Sequence, residues 1–256
     1  MADVEKEKKG IGAELVKLKN FLLGFGKSVR IGVFGDSVIR GVMLDSETGK
    51  FRTYKRRFED ARKNYGIMIE NNGKIGYTSK LIVEQIKNLI DNENHPDFIF
   101  LEYGGNDCNF NWRDVSEHPD AEHSPYVTPE DFKDNYIEAI EYVRACGASV
   151  VIMIPPPIDA EKFLNYICKA GGFSRENILH WLGDVSMIYR WQEHYSDICK
   201  TIADETGCPV IDLRSAFIVR HDFPDLICED GVHPTEAGHE IIDGEICKFF
   251  DNIIKK

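Results

Sequence analysis

Four short stretches of this sequence hold residue types that can act in concert. Gly35-Asp36-Ser37-Val38 places a serine directly after an apolar run. A serine hydroxyl is a weak nucleophile until a base takes its proton, and Ser or Asp here can equally cap a helix. In Asp230-Gly231-Val232-His233-Pro234, the Asp can bend back onto the His three residues on. It then accepts from one imidazole nitrogen and leaves the other as a base. Read alone, the stretch is also a turn with a proline opening a helix. Tyr103-Gly104-Gly105-Asn106-Asp107 joins two permissive glycines to an amide that can donate to a developing oxyanion, or is a plain turn. Asn72-Gly73-Lys74-Ile75-Gly76-Tyr77-Thr78-Ser79 offers a backbone N–H at a helix start, with Gly76 preferred over Gly73.

Those stretches sit at the ends of predicted elements. Short apolar runs bounded by turn residues suit buried parallel strands. They occur at Arg30–Phe34, Ile67–Glu70, Phe98–Glu102, Ser149–Ile154 and Pro209–Leu213. Helical spacing lies between them, at Tyr77–Asp91, Glu130–Cys146, 176–206 and Pro234–Ile254. Alternating strands and helices predict a parallel sheet covered on both faces. Five strands predict a flavodoxin-like three-layer α/β/α sandwich. In strand order 2-1-3-4-5, the first and third strands flank the crevice, so Ser37 and Asn106 should meet there. Residues 1–28 read as a helical extension before a domain at 29–256, with Ile11, Leu15, Leu18, Phe21 and Leu22 on one side, packed on the domain or offered to a partner. Two long connections, Cys108–Thr128 and Pro155–Arg175, should leave the carboxyl ends of their strands.

In this order, Ser, Gly, Asn and Asp-x-x-His resemble the blocks of the SGNH hydrolases, also called GDSL-type esterases and lipases. The matching blocks are Gly35-Asp36-Ser37, Gly76, Gly104-Gly105-Asn106-Asp107 and Asp230-Gly231-Val232-His233. The resemblance implies Ser37 as nucleophile, His233 as base and Asp230 as its partner. It also implies an oxyanion hole from the Ser37 N–H, the Gly76 N–H and the Asn106 side chain. The implied reaction is ester hydrolysis through an acyl-enzyme, with neither metal nor organic cofactor. The expected substrate is a small-molecule ester, short-chain acyl or acetyl, on a carbohydrate as a first expectation. Lysophospholipase or thioesterase activity and a catalytically silent binding protein are the alternatives. Arg40, Tyr77, Trp112 and Trp181 are expected to border the substrate.

Composition narrows the remaining classes. The chain has 256 residues, with 31 Lys+Arg against 43 Asp+Glu, a balance of −12. That balance disfavours nucleic-acid binding and attraction to anionic membrane surfaces. There is no apolar run of signal-peptide or membrane-spanning length, which gives an expectation of a cytoplasmic protein. Seven scattered cysteines without a CxxC pair read as thiols rather than a zinc or disulfide framework. No Gly-x-Ser-x-Gly elbow, complete phosphate loop or GxGxxG is present; Gly26-Lys27-Ser28 lacks the leading glycine. His118, Asp120, Glu122 and His123 read as a solvated acidic loop rather than metal ligands. The basic run Arg52, Lys55, Arg56, Arg57, Arg62 and Lys63 reads as a solvated helix face.

Overall fold

A computed structural model describes residues 15–16, 18–20, 22–24, 29–91 and 95–255. Its central sheet is parallel, built from β1 (Arg30–Gly35), β4 (Met68–Asn71), β5 (Phe98–Glu102), β6 (Ser149–Ile154) and β7 (Val210–Asp212), in the order β4-β1-β5-β6-β7. Counting only these five strands, that is the 2-1-3-4-5 order. A ribbon of β2 (Val42–Leu44) and β3 (Phe51–Thr53) was not expected from the sequence pattern.

Alternation along the strands explains the two helical layers. Ile31, Val33, Phe98, Phe100, Val151 and Met153 point into one core. Phe34, Ile99, Leu101, Val150, Ile152 and Ile154 point into the other. Side chains alternate across a strand, so strands apolar at every position must be covered on both sides. The first core is closed by the helices Glu59–Tyr65, Leu213–Ile218 and Glu236–Lys255, and the second by Ile82–Asp91, Pro129–Ala145 and Ser186–Thr206.

The two long connections are not plain loops. They contain the helices Trp112–Glu117 and Ala160–Gly171, which build a third apolar cluster with the following helix Arg175–Leu182 and the start of Ser186–Thr206. The span 176–206 is therefore two helices, broken at Gly183.

The basic run is corrected as well. Arg57 is buried and pairs with Asp243 at 3.3 Å, while its Nη1 lies 3.3 Å from His239 Nδ1. Burial, helped by the Arg57 charge, holds His239 near a pKa of about 3, so this imidazole stays neutral. Arg62 donates to the Ile69 carbonyl at 3.2 and 2.7 Å. Arg57 thus braces the first helical layer, whereas Arg52, Lys55, Arg56, Arg62 and Lys63 are exposed, as the sequence pattern implies.

At the amino end, the described residues 15–16, 18–20 and 22 are helical, and Leu23–Gly24 form a turn. Leu18 is fully buried in the first core, with Leu15 and Leu22 packed against it. Ile11, Phe21 and Gly26-Lys27-Ser28 lie outside the described residues. Removing a buried leucine side chain costs about 2–5 kcal/mol. Leu18→Ala should therefore lower unfolding free energy by about 2–4 kcal/mol in urea titration. A change below about 0.5 kcal/mol would mean that this segment does not belong to the core.

Candidate active site

The site begins where β1 ends. At Gly35 a Cβ would lie 2.4 Å from Ile39 Cγ1 and 2.5 Å from the Glu102 carbonyl oxygen, so only glycine makes this tight exit. The short helix Ser37–Arg40 follows at once. Its cap is Asp36, whose Oδ1 accepts from the Val38 N–H at 2.8 Å. With capping done by Asp36, the Ser37 hydroxyl is left for another partner.

That partner is His233. Its Nε2 lies 2.9 Å from Ser37 Oγ, across 196 residues of sequence. Its Nδ1 lies 2.7 Å from Asp230 Oδ2. Asp230 Oδ1 also accepts from the N–H groups of Val232 and His233, each at 3.0 Å. Burial pushes the Asp230 carboxyl up, but the hydrogen bond and charge of His233 outweigh it and hold Asp230 below the ordinary carboxylate range. A carboxylate on Nδ1 fixes the tautomer and leaves Nε2 to accept the serine proton. Phe51 of the ribbon packs edge-on to the imidazole, with ring centroids 5.4 Å apart.

The loop that carries Asp230 and His233 is held by the helix Ala160–Gly171 and its cap. The Asp159 N–H donates to the Gly231 carbonyl at 2.8 Å. Lys162 Nζ donates to the carbonyls of Pro224 and Ile227 at 2.8 and 2.9 Å and pairs with Glu229 at 3.1 Å. Gly231 has φ +75°, and a Cβ there would meet the Phe163 N at 2.2 Å.

Asn106 follows β5 and lines the same cavity as Ser37. Its amide nitrogen donates to the Tyr77 carbonyl at 3.0 Å and to Asp36 Oδ2 at 3.2 Å. Of the two competing glycines, Gly73 is buried against Ile39 and Arg40, and Asn71 Oδ1 accepts its N–H at 2.9 Å. Among the described residues, the Gly76 N–H has no hydrogen-bond partner; Gly76 is exposed and is not among the residues lining the cavity at Ser37. Asp107 ties the loops together, accepting from the Ser79 N–H at 2.8 Å. Burial raises both Asp36 and Asp107 to about 6.

A cavity of about 420 Å³ opens on Ser37, Asn106 and His233. Trp112 and Trp181 line it, as anticipated. Arg40 and Tyr77 do not. Arg40 is exposed at the end of the short helix, and Tyr77 faces a separate depression with Phe34 and Gln85 while its carbonyl holds Asn106. Residues missed by sequence reasoning also line it, among them Phe110, Ile188, Trp191 and His123. The His123 side chain is almost fully buried, with Nδ1 3.1 Å from Asp114 Oδ2, so it is not part of a solvated loop. Among the described residues, no three His, Cys, Asp or Glu side chains gather as a metal site, and no helix is long and apolar enough to cross a membrane. The seven cysteines are free thiols.

Fold and site together define an α/β/α protein with the SGNH hydrolase fold. The chain belongs to the GDSL-like Lipase/Acylhydrolase family, whose profile matches residues 33–241. Relatives include the GDSL esterase/lipase CPRD49 of Arabidopsis thaliana, 24% identical over 69% of this chain and 63% of that protein. The rice GDSL esterase/lipase WDL1 is 23% identical over 69% of this chain and 62% of that one. These matches span under two thirds of both relatives' length. Among solved structures, an acetylxylan esterase from Geobacillus stearothermophilus superposes with TM-score 0.59 at 19% identity, covering 88% of this chain and 95% of that one. A lipase/acylhydrolase from Enterococcus faecalis gives 0.58 at 17% identity, covering 88% and 96%.

The loop geometry makes a direct prediction. Gly231→Ala forces a strained φ and a backbone clash. It should lower stability by more than about 2 kcal/mol and displace His233 from Ser37. Thermal melting and the histidine NMR resonances check both, and an unperturbed His233 resonance would refute the coupling.

Proposed function

We propose that this protein hydrolyses carboxylic esters through an acyl-enzyme. The observation that carries the reading is the chain of contacts from Ser37 Oγ to His233 Nε2 at 2.9 Å and from His233 Nδ1 to Asp230 Oδ2 at 2.7 Å. A buried, oriented relay of this kind activates a serine hydroxyl. Family membership supports the same reading.

In the reaction, Ser37 Oγ attacks the ester carbonyl carbon and its proton passes to His233 Nε2. Asp230 stabilises the imidazolium that forms. The N–H groups of Ser37 and Gly76 and the Asn106 amide stabilise the oxyanion, and losing one such donor typically costs about 10²–10³ in turnover. Collapse expels the alcohol, which takes the proton from His233. Water, deprotonated by His233, then attacks the acyl-serine carbonyl; the bond to Ser37 Oγ breaks, His233 returns the proton to that oxygen, and the acid leaves. The donors and the relay are side chains and backbone of this chain alone.

An acetyl ester on a carbohydrate was the first substrate expectation. The acetylxylan esterase neighbours, all below 25% identity, support a common fold and not a common substrate. A catalytically silent binding protein would not need Ser37, His233 and Asp230 held in register, so the intact relay favours an enzyme.

Ser37→Ala should lower hydrolysis of p-nitrophenyl esters by about 10³-fold or more, with the circular dichroism spectrum unchanged. Asp230→Asn should lower it by roughly 10²–10⁴-fold, because the wrong imidazole tautomer is then favoured. Equal rates for wild type and Ser37→Ala would overturn the function.

A further inference from the structure

The cavity beside Ser37 has a wall with few polar groups on offer. The Trp112 indole N–H donates to Asn109 Oδ1 at 2.6 Å, and the Trp191 N–H donates to the Cys108 carbonyl at 2.9 Å. Gln192 donates to the Pro156 carbonyl at 3.0 Å, and its oxygen accepts from Arg214. The His123 ring nitrogens lie 3.1 Å from Asp114 Oδ2 and 3.0 Å from the His118 carbonyl. Each of these polar atoms is turned toward protein, so these side chains show the cavity mainly ring and methylene surface. Phe110, Phe163, Leu182 and Ile188 extend that surface, whereas the Trp181 indole N–H and the Tyr166 hydroxyl, also in the lining, have no protein hydrogen bond among the described residues. A sugar hydroxyl buried there without a partner costs about 1–3 kcal/mol.

Size points the same way. The space is about 420 Å³. A methyl group takes about the volume of a water molecule, roughly 30 Å³. An acetyl group would leave most of the cavity unfilled, whereas on the order of ten methylene-sized groups fill it.

We propose that the helices Trp112–Glu117, Ala160–Gly171 and Arg175–Leu182, with the start of Ser186–Thr206, form an acyl cavity, and that this protein prefers esters of medium-length apolar acyl chains, about six to ten carbons, over acetyl esters. The inference rests on the ester-hydrolase reading and adds to it the substrate class. The carbonyl sits at Ser37 and the acyl tail runs between Trp112, Trp181 and Ile188. Each methylene buried on the way to the transition state raises kcat/KM by up to about fourfold (about 0.8 kcal/mol). The leaving alcohol stays on the His233 side, toward the exposed Phe51.

The test is a panel of monomeric p-nitrophenyl esters from acetyl to decanoyl, with a parallel panel of acetate esters of lengthening alcohols. Wild type, Ser37→Ala and two cavity-filling variants on different helices, Leu182→Trp and Ile188→Phe, are compared, each checked by thermal melting. The expected result is a kcat/KM that climbs at least tenfold from acetyl to octanoyl. Either filling variant should then cut the octanoyl-to-acetyl ratio at least tenfold. A flat or falling acyl profile with Ser37-dependent turnover overturns the acyl cavity alone. So does a climb confined to the alcohol series, or an unchanged ratio in a folded filling variant. Wild-type rates no higher than Ser37→Ala on every ester overturn the hydrolase reading as well.

Discussion

The hydrogen bond between Ser37 and His233 joins residues that are 196 positions apart, at 2.9 Å. Every other feature of the site follows from the need to hold that distance. Ser37 is placed by the end of β1, where Gly35 permits the sharp turn. His233 is placed by a loop pinned between the last helix and the helix Ala160–Gly171. A parallel sheet meets this need naturally, because its strands deliver their carboxyl ends to one side and the crevice opens where strand order reverses.

The second constraint is electrostatic. Asp36, Glu102 and Asp107 lie buried close beneath the crevice, and burial raises all three. Asp36 and Asp107 are fixed by backbone donors, Val38 and Ser79, whereas the buried Glu102 Oε2 has no hydrogen-bond partner among the described residues. These carboxyls knit the three motif loops together. Asp36 also accepts from the Asn106 amide through its second oxygen, which ties the cap of the helix Ser37–Arg40 to the loop after β5. The helices of the two long connections, with Arg175–Leu182, add the walls: they bury aromatic rings against one another while leaving a cavity facing Ser37.

Much of this was legible in the chain. The strands at 98–102 and 149–154 stand where their apolar runs place them, because fully buried parallel strands carry a continuous local signal. The motif residues were legible because each sits at a strand exit or helix start. What stayed hidden depends on contacts distant in sequence. Arg57 belongs to a basic run, and nothing local marks Asp243, on the last helix, as its partner. His123 is a loop residue whose side chain is buried because Trp181, on the helix Arg175–Leu182, packs edge-on against it. The helix Ala160–Gly171 was obscured by the prolines before it, although its apolar residues recur at helical spacing. Arg40 and Tyr77 were near the site in sequence, but their backbone turns direct the side chains elsewhere.

The central claim is that Ser37 is an activated nucleophile. The most direct measurement is intact-mass and peptide mass spectrometry after reaction with a small fluorophosphonate, on wild type and His233→Ala. The account predicts a single phosphonyl adduct on Ser37 in wild type and labelling slowed by orders of magnitude without His233. No adduct, an adduct on another residue, or equal labelling rates in the two proteins would contradict it.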